Sequence, residues 1–288
     1  MVPTGILPLK PLYTHPASRI HSVFVWHCTE WYNHHPIGSA NPQRQPSVMK
    51  LDDIKKLHQK KYRTEFGFFL VEGEHLILEL EKAAEINPAL NNCEVYVTES
   101  FNNFPTRFNK HLVSEKHMAQ MSDTKTPQGI IAVAPILSNS SIAHTNERAI
   151  YLHEIQDPGN LGTILRSLAW FGNFRCLLSP GSVDPFNPKV VRSSMGAIFH
   201  VPMELDVSLE SLSSRFKSIA TLDMQGKQLS DASFKQFDCY AFGNEARGVP
   251  RDELQKMDAQ PFTISGCGAI ESLNLASAVN MCVYELTR

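Results

Sequence analysis

The feature that most constrains the fold is a regular alternation of short apolar runs and helical patterns in the C-terminal half of the chain. The runs are typical of buried strands, and the predicted strands cover Ala149 to Ile155, Phe174 to Leu178, His200 to Met203, Ser218 to Leu222, Cys239 to Phe242 and Phe262 to Ser265. The predicted helices between and after them cover Leu161 to Phe171, Pro188 to Ala197, a short stretch near Leu209, Pro250 to Met257 and Leu273 to Leu286. This pattern predicts an α/β fold with a parallel sheet covered by helices on both faces.

Residues 49–134 read as a second, smaller α/β domain. Its predicted elements are a basic helix Leu51 to Arg63, a strand Phe66 to Val71, a helix after Gly73, strands at Val95 to Val97 and near Leu112, a helix near His117 and a strand Gly129 to Val133. The helix after Gly73 places one apolar stripe on a single face, formed by Leu76, Ile77, Leu80, Ala83 and Ala84. The basic helix supplies local positive charge in a chain whose net charge is −2. A solvated helix face and an RNA contact both fit that charge.

Two segments show no periodicity. Residues 1–48 hold seven prolines and read as a disordered extension, or as sequence upstream of a true start at Met49. The histidines of this segment have no recognised metal-ligand spacing, so no metal site is predicted from His15, His21, His27, His34, His35 and Cys28. Residues 135–148 are polar and rich in Ser and Asn, which is typical of an interdomain linker.

The six cysteines are scattered, lie mostly in apolar runs and form no C-x-x-C pair. This usage indicates reduced, buried thiols and a cytoplasmic protein. No apolar run approaches the roughly 20 residues of a membrane span, and a secretory signal is not evident. We therefore expect no membrane association.

Three polar or glycine-rich clusters follow predicted strands, where ligands bind in parallel α/β sheets. The first, from Asp157 to Arg166 (DPGNLGTILR), opens a helix, and its free N–H groups suit an anion or a polar ligand. Asn160 could instead serve only as a helix cap. Arg166 needs an anion or an ion pair, so the residue types leave a structural and a functional role open.

The second cluster is the loop Gly243 to Pro250 (GNEARGVP), and the third runs from Ile264 to Ala278 into the last helix. The Gly-x-Gly at Gly266 and Gly268 is not a dinucleotide-binding motif, because Glu271 stands where the third glycine would be. Small residues at the start of the last helix fit close packing as well as a ligand site.

In this order, the segments NLGTILR, GNEARGVP and SLNLASA resemble the three signature motifs of the SpoU family of RNA ribose 2′-O-methyltransferases, within the SPOUT superfamily. The resemblance covers residues 149–288. Residues 51–134 are similar to the small ribosomal-protein-like RNA-binding domain that often precedes this domain, and the sharpest marker there is Lys60-Lys61-Tyr62-Arg63 followed by Val71-Glu72-Gly73.

The resemblance implies a trefoil-knotted α/β fold, S-adenosyl-L-methionine as the cofactor, structured RNA as the substrate and a homodimer that forms through the C-terminal domain and completes the active site. It implies cofactor contacts by residues of the loops after the last strands, which here are Thr221, Leu222, Gly243, Ile264, Ser272 and Leu273. It carries four residues into the catalytic site, namely Asn160, Arg166, Glu245 and Asn274.

Arg166 has two interpretations. The family proposal makes the motif-one arginine the proton acceptor, but a guanidinium group stays charged far above neutral pH. We favour the hypothesis that Arg166 clamps a backbone phosphate and orients the hydroxyl, while Asn160 and Asn274 hold the ribose or the loops and Glu245 fixes loop geometry.

A catalytically silent RNA-binding or ribosome-assembly protein of the same fold is the alternative, and cofactor binding separates the two. A dehydrogenase or Rossmann-type methyltransferase would place its glycine-rich loop after the first strand and an acidic residue near the end of the second, where this chain has Ser179-Pro180-Gly181. An RNA-binding domain of this type favours rRNA over tRNA, because it suggests recognition of a folded element by shape and stacking.

Overall fold

In the computed structural model, which describes residues 49–137 and 147–288, the two predicted α/β regions form two separate sheets. The predicted N-terminal extension and residues 138–146 of the predicted linker lie outside the described residues. On either side of that gap, one strand ends at Pro135 and the next begins at Arg148. Within the described part of the chain, no helix is both long and apolar enough to cross a bilayer.

The first region contains a four-stranded mixed sheet. Its elements are α1 (Leu51–Lys56), α2 (Lys60–Phe66), β1 (Phe68–Glu72), α3 (Glu74–Ile86), β2 (Glu94–Val97), β3 (Asn109–Leu112), α4 (Glu115–Met121) and β4 (Ile130–Pro135). The strand order is β1-β4-β2-β3, in which only β2 and β3 run parallel. The apolar stripe predicted for α3 is confirmed, because all five of its residues are buried.

The prediction of one continuous basic helix from Leu51 to Arg63 is wrong. The chain turns at residues 57–59, and the Arg63 guanidinium folds back so that Nη1 donates to the carbonyl of Leu57 at 2.7 Å. Leu57 is fully buried, so the turn anchors the chain to the core. Gly67, in the left-handed conformation at φ 76°, then ends α2 and shifts the start of the next strand from Phe66 to Phe68.

The second region is a six-stranded sheet in which every neighbouring pair of strands is parallel, as predicted. Its order is β10-β8-β9-β5-β6-β7. The elements are β5 (Arg148–Leu152), α5 (Pro158–Phe171), β6 (Phe174–Leu178), α6 (Pro188–Ser194), β7 (Met203–Glu204), α7 (Leu212–Arg215), β8 (Ile219–Gln228), β9 (Cys239–Phe242), α8 (Arg251–Lys256), β10 (Gln260–Thr263) and α9 (Leu275–Thr287).

Helices cover both faces of this sheet. Alternate residues of β5 enter two different cores: Ile150 packs in the cluster that holds residues of α5, α6 and α9, whereas Tyr151 packs in the cluster that holds residues of α7 and α8. The first cluster continues into the four-stranded sheet through residues such as Phe69. The two sheets therefore share one apolar core.

Several predicted boundaries move: β5 ends at Leu152 instead of Ile155, β10 ends at Thr263 instead of Ser265, and β7 is Met203–Glu204 instead of His200 to Met203. Helix α5 begins at Pro158 instead of Leu161, α9 begins at Leu275 instead of Leu273, and β8 extends to Gln228. The pairing of β8 with β10 is interrupted, because Pro261 pairs with Thr221 and the next residue pairs with Lys227. Residues 222–226 of β8 are skipped in this pairing and form a bulge in the β8–β10 ladder.

Candidate active site

Helix α5 opens the site with an Asp-Pro start. Asp157 is the N-cap, and its Oδ1 accepts a hydrogen bond from the backbone N–H of Asn160 at 2.7 Å. Pro158 occupies the first helical turn, where a missing N–H costs nothing. Since Asp157 caps the helix, the interpretation of Asn160 as the cap is wrong, and the Asn160 side chain is free to contact other loops.

Glu245, in the loop after β9, binds the loop between β5 and α5. Its carboxylate accepts hydrogen bonds from the backbone N–H of Gln156 at 3.1 Å, from the backbone N–H of Asp157 at 3.1 Å and from Asn160 Nδ2 at 3.2 Å. Burial alone would raise the pKa of Glu245, but these hydrogen bonds outweigh it and hold the pKa below its ordinary value. Glu245 is therefore a carboxylate that fixes the first motif in place.

Asn274 joins the same network from the start of α9. Its Nδ2 donates to Asn160 Oδ1 at 2.9 Å, and its own Oδ1 caps α9 by accepting from the N–H of Ser277 at 3.2 Å. The Asn160 amide thus bridges Glu245 and Asn274. The structure brings together three of the four predicted catalytic residues. In the chain, Glu245 lies 85 positions and Asn274 114 positions from Asn160.

Arg166 is not part of this network. It lies on the exposed side of α5, six residues after Asn160 and so about 9 Å further along the helix axis. Within residues 49–137 and 147–288, Arg166 makes no hydrogen bond or ion pair, unlike Arg247 and Arg251 of the neighbouring loop and helix. Its guanidinium is available to an anion from outside the chain.

The loop after β9 has a tight geometry. The Asn244 side chain accepts from the N–H groups of Ala246 and Arg247 and donates to the carbonyl of Glu154 at 2.7 Å. A Cβ on Gly243 would lie 2.1 Å from the backbone carbon of Gly248, so only glycine permits this crossing. Arg247 forms an ion pair with Glu154, a residue with the uncommon φ of 50°.

Four of the six predicted cofactor residues lie on three adjacent strands or directly beyond them, and the other two lie just before α9. Thr221 of β8 is buried and donates to the carbonyl of Ala241 on β9 at 3.1 Å, two residues before Gly243. Leu222, Gly243 and Ile264 are half-buried, whereas Ser272 and Leu273 are exposed in the segment before α9. Large apolar side chains stand open to solvent around these positions, with exposed fractions of 70% for Met224, 72% for Ile270 and 43% for Leu273. This exposed apolar surface lies next to the tight backbone crossing at Gly243. Such a combination fits a cofactor that has both apolar and polar parts.

Sequence reasoning did not identify the residues that support these loops. Asp223 follows Leu222 and accepts two hydrogen bonds of 2.7 Å from the Arg251 guanidinium, which joins β8 to the start of α8. Burial would raise the pKa of Asp223, but its bonds with Arg251 and with backbone N–H groups lower it. The Asp-Pro pair at Asp157 is a known helix-start signal and could have corrected the cap assignment. No local sequence pattern predicts that Asp223 and Arg251 form an ion pair.

Comparisons with known proteins match both regions of the chain. A model described as the SpoU rRNA Methylase family matches residues 147–284, and one described as the MRM3-like substrate binding domain matches residues 49–132. The chain is 32% identical to the 23S rRNA (guanosine(2553)-2′-O)-methyltransferase RlmP of Bacillus subtilis over 82% of this chain and 95% of that protein.

Solved structures give the same fold. A protein from Porphyromonas gingivalis, described as an RNA methyltransferase of the TrmH family, superposes with a TM-score of 0.70 at 28% identity and covers 84% of this chain and 98% of that one. The AdoMet-bound rRNA methyltransferase of Sinorhizobium meliloti has a TM-score of 0.70 at 23% identity, over 82% of this chain and 93% of that one. With the three motifs joined in one network and a full-length relative at this level of identity, the chain belongs to the SpoU rRNA methylase family.

Proposed function

We propose that this protein transfers the methyl group of S-adenosyl-L-methionine to a ribose 2′-hydroxyl of folded rRNA. The observation that carries the proposal is the contact of Asn160 with both Glu245 and Asn274, since it joins the three family motifs at the carboxyl edge of the sheet. The names of the relative from Bacillus subtilis and of the SpoU rRNA Methylase family support rRNA as the substrate class. The cofactor-bound structure of the Sinorhizobium protein supports the methyl donor.

The amide groups of the network have capacity left for a ribose. Asn274 Nδ2 uses one of its two N–H donors on Asn160, and Asn160 Oδ1 accepts that bond with one of two lone pairs. Both groups can therefore contact a hydroxyl and orient it. When bound, S-adenosyl-L-methionine supplies an electrophilic methyl group: the hydroxyl oxygen gains the new C–O bond, the S–C bond breaks to give S-adenosylhomocysteine, and the hydroxyl proton leaves to solvent.

Arg166 in this proposal clamps an RNA phosphate. A planar guanidinium binds a phosphate through two parallel hydrogen bonds, which a lysine ammonium does not reproduce. The Arg166→Lys variant should therefore lose most of its activity without a shift in the pH–rate profile. Full activity of that variant would argue against a bidentate clamp, and a displaced basic limb would favour the proton-acceptor role.

Fewer lysines of the RNA-binding region are available to RNA than one continuous basic helix would provide. Lys55 and Lys56 pair with Asp52 and Asp53, whereas Lys60 and Lys61 at the start of α2 are exposed. We assign RNA phosphate contact to this pair of lysines. Replacing both by Ala should weaken RNA binding and reduce its salt dependence, while the affinity for the cofactor stays unchanged.

We also infer a homodimer built on a trefoil-knotted C-terminal domain, as the family resemblance implies. Helices α5 and α9 pack together and expose an apolar patch, with exposed fractions of 73% for Trp170, 57% for Tyr284 and 45% for Met281. Patches of exposed aromatic and Met side chains are typical of protein–protein interfaces. Arg166 lies one helical turn before Trp170, so association through this patch would bring it close to a second copy.

The dimer is tested by light scattering. Trp170→Glu should give a monomer, and Leu112→Glu, at another exposed apolar residue on β3, should leave the dimer intact. A wild-type protein that is monomeric at micromolar concentration would contradict the proposal. The buried, unpaired thiols at Cys93, Cys176, Cys239 and Cys282 support a reducing compartment such as the cytoplasm.

The activity is tested with radiolabelled S-adenosyl-L-methionine and total RNA, followed by nucleoside analysis. Wild type should give labelled 2′-O-methylnucleoside, Arg166→Ala and Asn274→Ala should not, and Ser167→Ala on the same helix should match wild type. Cofactor binding without transfer to any RNA would instead favour the silent RNA-binding or ribosome-assembly role.

A further inference from the structure

One marker of the RNA-binding region, Arg63, has a role that phosphate contact does not explain. Its side chain is 3% exposed, and it contacts the other sheet region through Asp184, 121 residues away. Arg63 Nε and Nη2 both donate to Asp184 Oδ2, at 2.9 Å and 2.5 Å, and Nη1 donates to the carbonyl of Leu57. A buried arginine with this many protein partners cannot reach RNA.

Asp184 belongs to the β6–α6 segment, residues 179–187. The segment has its own internal order, because Asp184 Oδ1 accepts from the N–H of Phe186 at 3.0 Å and the Asn187 side chain caps α6. The ring of Phe186 packs on Phe69 of β1 with centroids 4.9 Å apart. One side of the segment is therefore fixed to the RNA-binding region by an ion pair and an aromatic contact.

The other side of the β6–α6 segment is bonded to the β5–α5 loop, residues 153–157. Ser179 Oγ accepts from the N–H of Glu154 at 2.7 Å, the N–H of Val183 donates to the carbonyl of Ile155 at 2.7 Å, and Gln156 Nε2 donates to the carbonyl of Gly181 at 2.8 Å. This β5–α5 loop is the one that Glu245 holds through the N–H groups of residues 156 and 157. Protein contacts thus run without interruption from Arg63 to Asn160.

We propose that Arg63 and Asp184 are positioning residues, which fix the RNA-binding region relative to Asn160 through the β6–α6 segment. The inference rests on the proposed function, because the distance that these contacts set matters only if the RNA bound by the first region is methylated at Asn160 and Asn274. RNA held by residues 49–134 is then presented at one set distance from the catalytic asparagines. The shared apolar core still joins the two regions when the ion pair is loosened, and the separation of the two ends then varies about its wild-type value.

The consequence is specific to long RNA. An RNA that touches both regions gains affinity from their fixed spacing, whereas a short oligoribonucleotide around the methylated nucleotide contacts only the catalytic end. Asp184→Asn should raise KM for the full rRNA transcript about tenfold, the scale of coupling that contact networks carry. Its kcat with the short RNA and its affinity for the cofactor should equal those of wild type.

Asp123→Asn is the matched control. Asp123 also forms an ion pair between the two regions, with Arg192 at 3.1 Å, but both side chains are solvent-accessible and neither bonds the β6–α6 segment. This variant should leave KM for the transcript unchanged. If Asp184→Asn is too unstable to assay, Arg63→Lys replaces it. Lysine keeps the positive charge but cannot make the two hydrogen bonds to Asp184, so this variant should give an intermediate increase in KM.

Electron–electron distance measurements test the spacing without RNA. Spin labels at Lys116→Cys and Ser213→Cys report the separation of α4 and α7. The background has Cys28 and Cys267 replaced by Ser, and the labelled protein is diluted with unlabelled protein. The wild-type sequence and Asp123→Asn should give one narrow distance, and Asp184→Asn a broader distribution around it. A failed methylation assay with this distance pattern would overturn the proposed function alone. An unchanged distribution in Asp184→Asn, or equal broadening in Asp123→Asn, would overturn the positioning role.

Discussion

Replacing Glu245 by Gln tests the network at its centre. The carboxylate accepts from three donors, namely the N–H groups of Gln156 and Asp157 and the Asn160 amide. A glutamine carbonyl can replace one carboxylate oxygen, but its NH₂ group would then face the N–H of Gln156, and the remaining bonds lose their charge.

The expected loss follows from these contacts. A hydrogen bond to a charged group contributes about 1.5–3 kcal/mol, against about 1 kcal/mol for a neutral one. Three donors at an exposed site give a loss of about 2 kcal/mol after allowance for solvent, which corresponds to about 30-fold in kcat/KM. The Glu253→Gln variant, an exposed residue on α8 with no partner in the described part of the chain, should behave as wild type.

The pH dependence gives a second check. Because the folded-state pKa of Glu245 is lowered, its stabilising contribution is fully present above the unfolded-state pKa of roughly 4.3 and is lost as the pH falls through the lower folded value. Glu245 is thus ionised throughout an assay between about pH 5.5 and pH 8, and its titration should add no inflection there. Glu245→Gln with wild-type kcat/KM would refute the assignment of loop geometry to the carboxylate.

Two further predictions concern residues that support the site. Gly162→Ala should lower the free energy of unfolding by about 1–3 kcal/mol in thermal denaturation, since the new Cβ would lie 2.0 Å from Ser193 Oγ and 2.8 Å from the Ser193 backbone carbon. The control is Gly266→Ala, where no atom lies closer than 4.0 Å to the new Cβ, and it should unfold as wild type. Asp223→Asn should raise the Kd for S-adenosyl-L-methionine about tenfold by calorimetry, because it weakens the Arg251 contact beside the predicted cofactor residues, and an unchanged Kd would contradict that role.

The sequence predicted elements well where local pattern and packing agree. The bounds of β6 and β9 are those expected, because each is a short apolar run closed by turn residues and buried on both faces. The basic helix failed because its interruption has no glycine or proline and leaves the apolar spacing of Leu51, Ile54 and Leu57 intact. Its cause is a tertiary contact, the burial of Arg63 against Asp184, which local propensity does not encode.

The candidate site divides in the same way. Strand alternation places each polar cluster at the carboxyl edge, but it does not give the strand order that makes β9 the neighbour of β5. That adjacency lets Glu245 reach the N–H groups at the start of α5, and family resemblance alone grouped it with Asn160 and Asn274. The support by Asp223 and Arg251 depends on the bulge in β8, which no spacing in the sequence predicts.

Helix α5 separates two tasks that the first motif combines. Its first turn is held by Glu245 and Asn274 through Asn160, so the amide that would meet the ribose is fixed by loops from three strands. Arg166, two turns later, stands outside that network and is fixed only by the rigidity of the helix, whose close crossing with α6 at Gly162 prevents it from shifting. In the proposed function, positioning of the hydroxyl and binding of a phosphate would therefore depend on different contacts, although Asn160 and Arg166 belong to one short segment of sequence.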